Sequence, residues 1–258
     1  MTALHAVGSK RRFSTLRAIG ALVMREMSST YGRTPGGYLW AILEPAGGIA
    51  LLTIIFSVAF SSPPIGSNFA MFYATGVVPF MYYNDIAQKV SQSLGYSKHL
   101  LVYPSVTFMD ALIARLVTNM VAGLLVTYVI FFSLVMFVDT RTDPRLGQIA
   151  LGMSMATIFA FAVGTLNCYL FNAFPIWLKL WQIINRPLFI ISCVLFVYDS
   201  IPSPFQDYLW YNPLVHVIGQ MRHGFYPSYH ADYVSAANVF GVSLVVLVIE
   251  LALMLRYH

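Results

Sequence analysis

From Leu39 to Phe60 the chain runs through an apolar stretch whose one charge, Glu44, lies near its start. As a helix, a stretch of that length crosses about 30 Å of hydrocarbon. Lipid leaves the backbone little choice, because N–H and C=O groups find partners there only within a helix or a closed barrel. What precedes this stretch differs in kind. Residues 24–45 read MREMSSTYGRTPGGYLWAILEP, a basic segment turning through Pro35-Gly36-Gly37 into the apolar run. Upstream of that corner, Phe13, Leu16, Val23, Met27 and Tyr31 fall on one side at helical spacing, and Ser14, Arg25 and Ser29 on the other. The pattern predicts an amphipathic helix lying on a membrane surface.

The rest of the chain is of the same kind. Hydrophobic residues make up 58% and charged residues 10%, which excludes an ordinary soluble domain. Hydropathy draws six spans, at 39–60, 69–90, 106–138, 147–171, 176–198 and 234–255. The fold expected is therefore all-α integral membrane, with six transmembrane helices and an N-terminal amphipathic interfacial helix. Residues 1–36 form the cytoplasmic N-terminus and interfacial coupling helix, and residues 37–258 the transmembrane domain. Lys10, Arg11 and Arg12 precede an apolar stretch as in a signal peptide, but Arg17, Arg25 and Glu26 interrupt it, so the segment is expected to be retained. With the N-terminus inside, only Arg141, Arg145 and Arg222 of the fifteen Lys and Arg residues face out. The excess of basic residues marks the cytoplasmic side, and both termini are placed there. The net charge of +5 sits at membrane edges in no dense tract, so nucleic acid is not a partner. Cys168 and Cys193 lie inside apolar spans and imply neither a disulfide nor a metal set.

Residues 199–233 are neither a span nor a polar loop. After Pro213, residues Leu214, Val217, Ile218, Met221 and Phe225 form one apolar stripe, with His216, Gln220 and His223 on the other side as a solvated face. Bracketed by Pro202, Pro204 and Pro227, these are outward-side re-entrant helices before the last span. Trp210, Tyr208, Tyr211 and Tyr226 suit the headgroup level. Asp110 and Arg115 are expected at the inner headgroups. Within spans, Glu44, Asp85 and Arg186 are charges that lipid would penalise, which turns them toward a bundle interior or an aqueous cavity.

No GxxxxGK[ST] phosphate loop occurs, nor HExxH, CxxC or GxSxG, so any energy for active transport comes from another chain. With that absence, the order of elements acquires a meaning. Arg25-Glu26, Tyr31, Arg33, Gly37-Tyr38-Leu39-Trp40, Glu44-Pro45, the loop from Leu94 to Pro104 and NPLVHVIGQMRHGFYP before the last span resemble the permease subunits of ABC-2 type exporters. The likeness is greatest to the capsular polysaccharide export family and covers Phe13 to Tyr257.

The resemblance implies a catalytically silent homodimer in the bacterial inner membrane, paired with two copies of a cytoplasmic ATPase that binds ATP and Mg2+. The permease itself carries no cofactor. It implies export of lipid-linked capsular polysaccharide to the periplasm, where periplasmic and outer-membrane export proteins receive it. Coupling to the ATPase falls to Arg25, Glu26, Tyr31, Lys98, His99 and Leu100, with Pro35-Gly36-Gly37 as the corner of a lever. The substrate path is assigned Arg33, Tyr38, Trp40, Glu44, Tyr82, Asp85, Arg186 and Phe189. Phe72, Tyr73, Phe80, Tyr83 and Tyr198 are further aromatics available to it, since sugar rings stack on aromatic faces. The alternatives are an O-antigen or other polymer or lipid exporter of the same architecture, and an ion-coupled secondary carrier. A membrane-embedded transferase is the third class.

Overall fold

A computed structural model describes residues 14–31, 37–97 and 107–257. All regular structure among them is helical: α1 (Ser14–Tyr31), α2 (Gly37–Ala59), α3 (Phe69–Ser91), α4 (Ser93–Ser97), α5 (Phe108–Phe137), α6 (Leu146–Ala173), α7 (Pro175–Ile191), a 3₁₀ turn (Tyr198–Ser200), α8 (Ser203–Trp210), α9 (Pro213–Phe225) and α10 (Ala236–Tyr257). Four helices are long and apolar enough to cross a membrane: Leu39–Ala59, Phe108–Phe137, Leu146–Ala173 and Ala236–Leu253. The two other expected spans correspond to α3, whose last turns carry Asn84, Asp85, Gln88 and Lys89, and α7, which has 17 residues.

The bundle is built around α3. Met71 through Phe80 are buried without a break, so this helix is enclosed all round and has no single apolar stripe. It packs chiefly on α6 and α5, with α2 and α9 completing the ring. Close approach to α6 depends on Gly164, where a Cβ would stand 2.8 Å from the Cβ of Val90 and 3.0 Å from the Ala87 carbonyl. Tyr83 stacks on Phe159 of α6 at 5.2 Å, and Phe131 of α5 on Phe225 of α9 at 4.3 Å. Phe72, Tyr73, Phe80, Tyr83 and Tyr198 are buried in this packing and do not line an open path.

Helix starts are locally encoded. Asn68 accepts from the Ala70 and Met71 N–H groups ahead of α3. Thr107 and Asp110 form a reciprocal capping box on α5, each side chain bonding the other's backbone N–H, at 3.2 and 2.9 Å. Asp110 is thus buried in protein at a helix cap.

Hydropathy carries the fifth span to residue 198, but α7 stops at Ile191. The chain then leaves the helix through Cys193, at φ +62°. The carbonyls released there are met by Arg222, which donates to Val194 O at 2.9 Å and to Phe196 O at 2.8 Å, while its guanidinium lies 4.6 Å from the Phe72 ring centroid. Gly76 admits this strand of backbone to α3, since a Cβ would stand 2.7 Å from Val194 O. Arg222 is fully buried on α9, not a loop charge exposed to water.

The expected polar face of α9 is also enclosed. His216 is fully buried, with Nε2 2.7 Å from the Trp210 carbonyl and Nδ1 accepting from the Ser235 N–H at 3.2 Å. Gln220 donates to the Gln148 side chain on α6 at 2.6 Å. These polar groups found protein partners, which a helical wheel cannot register. Tyr208 and Tyr211 are exposed, whereas Tyr226 is buried over Gly66, a glycine at φ +78°.

Candidate functional site

A cleft of about 500 Å³ opens between α2, α3 and α5. Spacing explains its walls. Trp40, Ala41, Glu44 and Pro45 repeat on one face of α2, and Val78, Met81, Tyr82, Asp85, Gln88 and Lys89 on one face of α3. The third wall is α5, with Asn119, Ala122, Gly123, Val126 and Thr127. Four expected path residues, Trp40, Glu44, Tyr82 and Asp85, are therefore brought together. Glu44 and Asp85 are exposed to the cleft, Trp40 is 67% exposed, and Tyr82 is buried in its wall. Tyr82 is fixed from behind by a 2.7 Å hydrogen bond with Thr157 of α6 and lies flat against Gly123, where a Cβ would meet its ring at 2.5 Å. Further along α2 and α5 a second, apolar groove of about 390 Å³ runs past Ala46, Ile49, Ile130 and Leu134.

Two expected path residues lie elsewhere. Arg186 is exposed on α7, and Phe189 packs edge-on against Phe80 at 5.1 Å, on a different side of α3. Beside it Asn185 donates to Asn84 at 2.6 Å, a cross-link between α7 and α3. The expectation rested on charge or aromaticity within a span, which does not fix the direction a helix face points. Tyr38 falls in the first turn of α2. Arg33, Lys98, His99 and Leu100 lie outside the described residues.

The expected coupling helix α1 lies chiefly against α5. Its stripe toward the bundle is Ile19, Leu22, Val23 and Glu26, at i, i+3, i+4 and i+7, while Arg25 and Met27 are exposed. Glu26 thus belongs to the enclosed face. Its Oε1 stands 3.0 Å from Arg115 Nε, and both side chains are about 5% exposed. Burial pushes the Glu26 carboxyl above the usual carboxylate range, opposed by the Arg115 guanidinium and by a hydrogen bond from Asn119. Arg115 also donates to the Lys89 carbonyl at 2.7 Å, near the end of α3. Tyr31 is the last residue of α1.

Two polar features of this region are absent from any linear pattern: the Arg115 link to α3 and the Arg222 clamp. The signal for the first was a lone Arg inside an apolar run together with a lone Glu at the end of an i, i+3, i+4, i+7 stripe.

Comparison with known proteins gives the family. Residues 17–226 match the ABC-2 type transporter family. The chain is 30% identical over 235 residues to the polysialic acid transport protein KpsM of Escherichia coli, covering 91% of each chain. It is 26% identical over 244 residues to the capsule polysaccharide export inner-membrane protein CtrC of Neisseria meningitidis serogroup A, covering 93% of this chain and 91% of the relative. To BexB of Haemophilus influenzae, a capsule polysaccharide export inner-membrane protein, it is 24% identical over 242 residues, with the same coverage.

Proposed function

Because the chain belongs to the ABC-2 type transporter family, we propose that it is the six-span permease of an ATP-driven exporter, moving lipid-linked capsular polysaccharide from cytoplasm to periplasm. It is a multi-pass membrane protein, and its relatives are capsule export permeases of the inner membrane. In this proposal both termini are cytoplasmic, two copies pair in the membrane, and ATP and Mg2+ are bound by two copies of a separate ATPase that docks on α1 and the 93–103 loop.

The observation that carries the proposal is the cleft: Trp40 offers an exposed ring, and Glu44, Asp85 and Gln88 offer groups that exchange hydrogen bonds with sugar hydroxyls. Such a wall suits a sliding polymer, because no single contact grips it. Among its described lining residues Lys89 is the single cation, set against two carboxylates, so the cleft recognises hydroxyl-rich sugar in preference to polymer charge. The apolar groove beyond it suits a lipid anchor.

The decisive experiment is extraction of the tagged chain from its native membrane in mild detergent, with identification and counting of what co-purifies. One ATPase copy per permease, and ATP-dependent appearance of polymer inside inverted vesicles, is the expected result. A chain that moves substrate on an ion gradient without ATP would overturn the proposal in favour of a secondary carrier.

A further inference from the structure

The simplest route for a push on α1 runs along the chain, through Pro35-Gly36-Gly37 into α2. The packing offers another. α1 lies mainly on α5, and the contact contains a buried ion pair, Glu26 Oε1 to Arg115 Nε at 3.0 Å. The same guanidinium, through its NH1 group, donates to the Lys89 carbonyl in the last turn of α3 at 2.7 Å. Carbonyls of a last helical turn lack intrahelical partners and attract cations, so this is a firm attachment point. Asn119, one turn beyond Arg115, donates to the Arg115 carbonyl at 2.7 Å and supports the Glu26 carboxylate. Lys89 and Asn119 are themselves walls of the cleft.

We infer that Glu26 and Arg115 are positioning residues that tie α1 to α5 and α3, so that movement of α1 displaces two walls of the cleft against the third wall, α2. The inference rests on the exporter function proposed above. The physical reason is burial. Sliding α1 away from α5 would strand a carboxylate and a guanidinium in a site with almost no water, which is costly, whereas moving α1, α5 and the end of α3 together keeps every contact. A close-packed interface of this kind shifts as a block. Among the described residues the contact of α1 with α2 is slight beside its contact with α5. The cleft therefore opens or narrows at its α2 side when α1 is driven.

The test uses the full permease–ATPase complex in nanodiscs, with spin labels at Leu43→Cys on α2 and Met109→Cys on α5, two exposed positions outside the cleft lining. Distances are measured without nucleotide and with ATP trapped by vanadate, beside ATPase and export rates. The wild-type pair is expected to show a nucleotide-dependent change in distance. In Glu26→Leu/Arg115→Leu, which removes both charges and keeps the volume apolar, that change is expected to disappear and export to fall at least tenfold, with ATPase activity kept within twofold. Arg115→Lys keeps a charge for Glu26 but shortens the reach to Lys89; an intermediate loss of export with retained ATPase activity is expected. An unchanged distance shift and export in the double variant would overturn the inference. So would failure of the double variant to retain the ATPase, since the pair would then serve docking and not transmission. If the wild-type complex held no ATPase or ignored nucleotide, the exporter function itself would fall, and this inference with it.

Discussion

Arg222→Met removes the buried cation that holds the segment following α7 to α9 and α3. In the native chain its guanidinium donates to Val194 O and Phe196 O at 2.9 and 2.8 Å and lies over Phe72. Hydrogen bonds made by a charged group contribute about 1.5–3 kcal/mol each, and a desolvated cation–π contact about 2 kcal/mol. Methionine forfeits both and leaves two carbonyls without those donors, but it also removes a buried charge whose desolvation costs several kcal/mol. The net loss is roughly 3 kcal/mol, more than 100-fold in the folded-to-unfolded ratio. Arg222→Lys keeps the charge but cannot fork to two carbonyls, and roughly half the loss is expected. SDS titration of the purified chain in mixed micelles reads the global term. Hydrogen exchange of amides 193–198 reads the local one, because those residues left the helix at Ile191 and depend on the clamp. An unshifted unfolding midpoint together with unchanged exchange in Arg222→Met would refute the assignment.

Other outcomes follow from the same contacts. Gly164→Val forces a side chain into a gap where even a Cβ lies 2.8 Å from Val90, so α3 and α6 separate; a loss of about 1–3 kcal/mol is expected in the same titration, and an unchanged midpoint would contradict the close-packed contact. Burial lowers the His216 pKa from 6.5, so its stabilising effect is present in full above that pH and is lost as pH falls through the folded value. His216→Gln should flatten the pH dependence of unfolding below pH 6.5, and an identical profile would show that His216 does not contribute. Arg25→Ala, on the exposed side of α1, is expected to leave stability within about 0.5 kcal/mol while reducing recovery of the ATPase. Glu26→Ala strands Arg115 and is expected to cost about 3 kcal/mol as well as export; equal stability of the two variants would sink the distinction.

Much of the architecture could be read directly from sequence, for a physical reason. Lipid imposes long uninterrupted apolar runs, so α2, α5, α6 and α10 lie within a few residues of the expected bounds. Misreadings arise where a polar group is satisfied across sequence. Residues 193–197, Cys-Val-Leu-Phe-Val, are as apolar as any helix, and hydropathy does not register that Arg222 makes it cheap for their backbone to leave one. His216 and Gln220 looked solvated because their partners, Trp210 O and the Gln148 side chain, belong to other elements. In α1 the apolar pattern placed Met27 inward, whereas the packing face is shifted to include Glu26, whose burial is offset by Arg115 and Asn119.

The charges within and beside the spans then sort by what surrounds them. Glu26, Arg115 and Arg222 are enclosed and held by protein partners, so their energy is committed to positioning helices. Arg186 points away from the cleft, and Glu44 and Asp85 remain exposed within it. Two exposed carboxylates with Lys89 as their neighbouring cation, standing in a cleft between three helices, are retained at a cost in a membrane. That cost is recovered where something hydroxyl-rich or cationic passes. Substitution of Glu44 or Asp85 should therefore alter transport without moving the unfolding midpoint, the reverse of Arg222, and that contrast separates the path from its frame.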